Sequence, residues 1–190
     1  MAKNKVMYGV SMLHFGLYTV EDDGTVTLGA PYHVPGTVSI SLEAESESNT
    51  FHADNIPYWA GYADNGMTGE VVNALFDEEF KTTFMNWVEL DGGGIGQVKS
   101  MQNKPVYMMF QNEGDQEGRR TILYNVSLGQ ITRDYETVEE SIEPQTATLP
   151  FTVSGDNGTG LTRGVYWPGG EVYDTMFDNP PVPALPDVSE

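Results

Sequence analysis

The sequence contains no cysteine, which removes a disulfide framework, a thiol nucleophile and a cysteine–zinc site together. Basic residues are scarce: nine Lys and Arg stand against 28 Asp and Glu, a formal net charge of -19. A field of that sign repels phosphates, because nucleic-acid binders gain affinity through Lys and Arg that displace counterions. A protein that grips DNA is therefore a poor fit. The composition agrees equally with a merely soluble surface and with one that must not adhere to DNA. No window approaches the roughly eighteen consecutive apolar residues of a membrane span. The opening Met1-Ala2-Lys3-Asn4-Lys5-Val6 lacks the apolar stretch of a signal peptide, so the expectation is a soluble intracellular product without a membrane partner. No internal repeat is visible. The 190 residues correspond to one domain, or one domain with an appendage, and suffice to bury a core without a metal.

What is present is alternation with period two, the mark of half-buried strands. Across 38–45, Val38, Ile40, Leu42 and Ala44 alternate with Ser39, Ser41, Glu43 and Glu45. Ile122, Tyr124 and Val126 form a second set, and Ala147, Leu149, Phe151 and Val153 a third. Val71, Val72, Leu75 and Phe76 form a looser one, interrupted by Thr68, Glu70 and Asn73. Val106 to Phe110 is apolar throughout, which predicts a strand covered on both faces. Pro150 cannot donate a ladder hydrogen bond, so it predicts an edge or a strand junction. Glu21-Asp22-Asp23-Gly24 and the acidic stretch 113–118 read as hairpin turns.

One segment has helical spacing. Phe76, Phe80 and Phe84 recur every fourth residue, with acids at 77–79 where the positive end of a helix dipole favours them. The spacing predicts one short helix over roughly 77–87, stopped by Asp91-Gly92-Gly93-Gly94. The stretch 45–67 shows no clear element, yet it carries Phe51, Ile56, Tyr58, Trp59 and Tyr62. It reads as a long loop that needs a surface to bury its rings. Prolines 180, 181, 183 and 186 among acids predict an extended, partly polyproline end. A boundary near Gly164 thus divides a domain at 1–163 from a proline-rich acidic extension at 164–190.

Chemical motifs do not survive inspection. Counting a phosphate loop from Gly93 puts Val98 where its second glycine belongs, and the segment follows a helix instead of a strand. Glu113, Asp115 and Glu117 imitate a calcium loop, but the twelfth position is Tyr124 in place of a bidentate Glu. His14, His33 and His52 have no metal-ligand spacing. Glu43, Glu45 and Glu47 are the tightest carboxylate set for a glycosidase, and a solvated strand face explains them more simply. No Gly-x-Ser-x-Gly elbow exists, and Asn125-Val126-Ser127 falls inside a predicted strand. The expectation is a protein that is not an enzyme and has no catalytic residue, metal or cofactor.

Several segments in shared order over residues 2–155 resemble the major tail protein (tail tube) family of siphophages. They are Ala2-Lys3-Asn4-Lys5-Val6 with Tyr8-Gly9, the strand from Pro35-Gly36-Thr37 to Glu45, and Ala53-Asp54-Asn55-Ile56-Pro57-Tyr58. Asp115-Gln116-Glu117-Gly118-Arg119-Arg120 with Leu123-Tyr124-Asn125, and Glu143-Pro144-Gln145-Thr146-Ala147-Thr148-Leu149, complete the set. Residues 166–190 have no counterpart in it. The resemblance implies a mostly β tail-tube fold: two packed antiparallel sheets, sandwich- or barrel-like, with one short flanking helix. It implies a structural virion protein, made in the host bacterial cytoplasm, that forms stacked hexameric rings around a DNA channel. The implied partners are other copies of the chain and the tape measure, distal tail and terminator proteins, while genomic DNA passes through the lumen without specific binding. Candidate contacts between subunits or rings are Lys3, Lys5, Phe51, Asp54, Asn55, Tyr58, Trp59 and Tyr62. Candidate lumen-facing acids are Glu43, Glu45 and Glu70. A second reading is a cell-wall carbohydrate-binding β-sandwich with Tyr58, Trp59 and Tyr62 as stacking platforms.

Overall fold

The computed structural model describes residues 6–53, 56–99, 102–114, 116–135, 137 and 145–186. The chain runs β1 (Met7–Val20), β2 (Val26–Leu28), β3 (Tyr32–His33), β4 (Thr37–Ala53), β5 (Ile56–Asn73), α1 (Glu78–Phe84), β6 (Val88–Glu89), β7 (Ile95–Gly96), β8 (Val106–Gly114), β9 (Arg119–Leu128), β10 (Thr132–Arg133), β11 (Ala147–Val153) and β12 (Arg163–Tyr166). The fold is mostly β. A ten-stranded antiparallel sheet has the order β2-β1-β8-β9-β11-β5-β4, with β3 beside β1, β12 beside β9 and β10 beside β11, and β6 and β7 form a second small sheet. The large sheet curls until β1 again approaches β4, and the main core fills the hollow.

Alternation along β8 explains why its five apolar residues are all buried. Val106, Met108 and Phe110 enter the main core, while Tyr107 and Met109 point to a second cluster on the opposite face. That face is covered by the segment after β12, which contributes Met176, Val172 and Phe177. Residues 171–178 run as successive turns and not as the extended chain expected from the prolines. Arg120 fastens this strap: its guanidinium lies 4.1 Å from the Tyr173 ring centroid and 4.7 Å from that of Phe177, and it donates to the Tyr173 carbonyl. The Tyr124 hydroxyl donates to the Pro181 carbonyl at 2.9 Å. Gly16 is required beneath this layer, because a Cβ there would stand 2.2 Å from the Tyr107 hydroxyl oxygen of the paired strand.

Two bulges reverse the facing of their strands. Register slips by one residue in β1 between Ser11 and His14, and in β9 opposite Val106 to Met108. Met12 (φ 56) and Asn125 (φ 50) hold the left-handed backbone at those points. Ile122 and Tyr124 consequently face the strap, whereas Val126 faces the main core, so the single face expected from their spacing is corrected. Asn125 also marks the fork at which the neighbour of β9 changes from β11 to β12. Its side chain donates to the Gly155 carbonyl at 2.9 Å, and its carbonyl accepts from Ser154 at 3.1 Å. On β4 the extra residue is Val38, which is 57% exposed, and Ala44 is exposed as well; only Ile40 and Leu42 of that expected apolar set pack on the core.

Pro150 sits at a junction and not an edge. β11 pairs with β5 on one side, and on the other it changes from β10 to β9 at this residue. The Pro150 carbonyl accepts from Gly129 at 2.7 Å, so the missing N–H falls where no ladder bond is needed.

α1 is shorter than expected. Asp77 caps it by accepting from the Phe80 N–H at 2.8 Å, and Tyr32 donates to the second Asp77 carboxylate oxygen at 2.6 Å. Phe76, Phe80 and Phe84 are buried, Phe80 and Phe84 against Phe15 and Phe76 against Phe80. The stop is Asn86 (φ 53) and not the glycine run: the Trp87 N–H returns to the Lys81 carbonyl at 3.2 Å, which closes the last turn. Gly92, Gly93 and Gly94 instead turn the β6–β7 hairpin.

Candidate assembly surface

Within 45–67 the described residues form two paired strands, β4 to Ala53 and β5 from Ile56, and not an irregular loop. β11 supports β5 only from Met67 to Asn73, whereas β4 and β5 continue pairing with each other as far as Ala53 and Ile56. Beyond Met67 the described structure is therefore a two-stranded ribbon. Such a ribbon is at best marginal in water without a further surface. Ile56, Tyr58 and Trp59 are 60%, 75% and 57% exposed. The Trp59 ring lies along its own strand over Gly61, where a Cβ would come within 2.4 Å of it.

The base of this arm is fixed. Gly66 (φ 94) carries the bulge between Ala44 and Ser46 pairings, and a Cβ there would lie 2.3 Å from the Val153 carbonyl oxygen. No side chain fits, so the direction in which the arm leaves the body depends on glycine.

β4 is also an edge. In the described residues its 17-residue length pairs with β5 alone. An unpaired edge of that length is a template for another strand unless something blunts it.

A polar face completes the surface. Glu43 pairs with Thr68, Thr68 with Thr152, and Thr152 with Ser127, so one row crosses four strands. In the next row Ser41 pairs with Glu70 and Glu70 with Pro150. Glu43, Glu70, Thr152 and Ser127 are exposed, and Glu45 is exposed further along β4. Two of the three expected lumen acids, Glu43 and Glu70, thus stand in adjoining rows of one uncovered face.

Of the expected contact residues, Tyr58 and Trp59 stand exposed on the arm. Phe51 lies in β4 and Tyr62 in β5, with their side chains outside what is described; Lys3, Lys5, Asp54 and Asn55 lie outside the described residues. Buried polar groups elsewhere are structural. Asp156 accepts from the Tyr18 hydroxyl at 2.5 Å and from the Thr159 N–H and hydroxyl at 2.6 Å each. Burial pushes the Asp156 carboxyl up, but these hydrogen bonds outweigh it and hold it below the usual range. The network pins the 154–162 loop in the fork of β9.

No protein-family model and no curated protein matches this sequence. Among solved structures, the tube-terminating cap of the anti-feeding prophage superposes with a TM-score of 0.50 at 10% identity, covering 87% of this chain and 96% of that one. The chain shares that cap's fold. A sheath–tube complex of an extracellular contractile injection system (TM-score 0.49, 8% identity, 82% of this chain and 88% of that one) also aligns. So does a chain of the anti-feeding prophage baseplate (TM-score 0.47, 7% identity, 87% and 97%).

Proposed function

We propose that this chain is a structural tail protein, the major subunit of a siphophage-type tail tube. The observation that carries the reading is the unsupported β4–β5 arm beside an unpaired β4 edge. Both leave backbone and aromatic groups that no other described residue covers, and further copies supply what is missing. The fold shared with a protein that terminates a tube supports the same direction. In this reading, edges pair between neighbours to close a ring, and arms contact the next ring, with Lys3, Lys5, Phe51, Asp54, Asn55, Tyr58, Trp59 and Tyr62 as the contact set. Heterologous contacts close rings when the rotation fits, here six copies, and stacked rings make an open filament.

The face bearing Glu43, Glu45 and Glu70 then lines the channel. Screening over about 8 Å at physiological salt keeps its field close to the wall, so transiting DNA is repelled from the surface without being arrested. The assembled partners are further copies and the proteins at the tube's ends and interior, within a virion tail.

Negative-stain microscopy of the purified chain over a concentration series tests this. Hollow fibres or rings of uniform diameter are the expected result. A protein that stays monomeric, with or without other tail components, and is retained on a cell-wall glycan resin would transfer the reading to the carbohydrate-binding module.

A further inference from the structure

Where β5 ends at Asn73 the chain turns through Leu75 and Phe76 toward α1, and a cavity of about 440 Å³ opens beside that turn. Its wall includes Leu75, Lys81, Trp87, Ile131, Arg133 and Tyr135. Two of the nine basic residues in a chain of net charge -19 meet here. The Lys81 ammonium lies 5.4 Å from the Trp87 ring centroid, and Arg133 donates to the Ala74 carbonyl at 3.1 Å. Among the described residues, Trp87 Nε1 and Arg133 Nε are shut off from solvent without an acceptor. A buried donor without an acceptor disfavours the isolated chain. The rim is apolar and open: Leu75 is 54% and Tyr135 84% exposed.

We infer that this cavity is the socket for the β4–β5 arm of a second copy of the chain. Charge complementarity supports that occupant. Residues 44–66 contain Glu45, Glu47, Asp54 and Asp64 and no Lys or Arg, together with the exposed Ile56, Tyr58 and Trp59. Carboxylates and rings on the arm match ammonium, guanidinium and rings in the cavity. Placement makes the contact intermolecular. The arm tip lies at the Ile56 end of β5 and the cavity beyond its Asn73 end, so an 18-residue strand separates them. At about 3.3 Å per residue that is roughly 50–60 Å, so a subunit's arm does not reach its own socket. An arm at one end and a socket at the other join copies head to tail and leave both free at the filament's ends. The biological setting of this contact rests on the tube reading, but the contact itself is separately measurable.

The test compares wild type with Lys81→Glu/Arg133→Glu and with Tyr135→Ala, by sedimentation velocity over a concentration series and by microscopy. Both variants should keep the wild-type circular dichroism and raise the concentration at which oligomers appear by about tenfold or more. Because Arg133 also holds the Ala74 carbonyl, Tyr135→Ala keeps the test decisive if the double variant fails to fold. A Tyr58→Ser/Trp59→Ser chain mixed with the socket variant should give discrete pairs, since one retains a socket and the other an arm. Tubes forming at the wild-type concentration in Tyr135→Ala and in the folded double variant would overturn the socket while leaving the tube reading intact. Wild-type oligomers without a channel, lost in the variants, would support the socket and remove the tube. A wild type that is monomeric throughout would remove both.

Discussion

Replacing Met176 by alanine measures whether the strap is part of the folded domain. Met176 is fully buried with Tyr18, Tyr107, Met109, Ile122 and Tyr124 on the second face of the sheet. Truncating a buried methionine costs about 2–5 kcal/mol, the spread reflecting how far the site collapses. The strap closes this cluster from one side and is built of turns, so it can settle inward, which places the expected loss near 2–3 kcal/mol. For a chain of this size each kcal/mol lowers Tm by about 2–4 °C, giving a drop of roughly 4–12 °C. Urea titration at pH 7.5 gives the free energy directly, with an unchanged m-value as evidence that the variant alters stability and not the extent of unfolding. Leu185→Ala is the control, because Leu185 is 59% exposed and its loss should fall within about 0.5 kcal/mol. If Met176→Ala proves as mild as Leu185→Ala, the strap is not docked in solution and the second face of β8 is open.

Asn125→Ala should destabilise by about 1–3 kcal/mol, since it places an ordinary side chain at a left-handed backbone position and loses the bond to Gly155. Asn125→Gly should cost less, and equal costs by urea titration would show that the backbone is not the constraint. His14 stacks on Phe177 of the strap with ring centroids 4.7 Å apart. Burial, with His33 beside it, holds its pKa below the ordinary 6.5 against the opposing pull of the Met12 carbonyl and Asp178. The unfolded chain therefore takes up this proton first, and stability present above about pH 6.5 is lost as pH falls toward the folded pKa. The urea midpoint should drop between pH 7.5 and 5.5 and drop less in His14→Gln; an identical drop in the variant would remove His14 as the cause. Under the tube reading, Glu43→Lys/Glu70→Lys should leave rings intact while DNA is retained in the channel, which ejection kinetics or co-sedimentation would reveal. Unchanged behaviour would place these acids outside the lumen.

The sequence was most legible where one physical demand dominated. The apolar run of β8 declared a strand covered on both faces, and the four-residue recurrence of Phe76, Phe80 and Phe84 declared a helix packed on the core. It marked the arm by its aromatic residues but not as paired strands, because Ser46 to Thr50 is polar throughout and displays no apolar alternation. It misjudged Val126 and Val38, because a single inserted residue reverses facing and leaves composition unchanged. Asn125 and Asn86 were the available signals, as asparagine tolerates the left-handed backbone, but only pairing register shows which asparagines adopt it. The socket was hidden for another reason: the pair Lys81 and Trp87 is distant in sequence from the pair Arg133 and Tyr135, and they meet only through the turn after β5 and the strand β10.

The strap's place in the chain has a consequence for synthesis. Tyr124 is synthesised some fifty residues before Met176, an interval of about 3–10 s at roughly 5–20 residues per second. Until Met176 is added, Tyr18, Tyr107, Met109, Ile122 and Tyr124 lack the strap side chains that close their face of the sheet. Apolar surface left open on a partly made chain is prone to association between nascent chains. The 171–178 turns thus act as a timer, since the second face of β8 closes only once Met176 has been made.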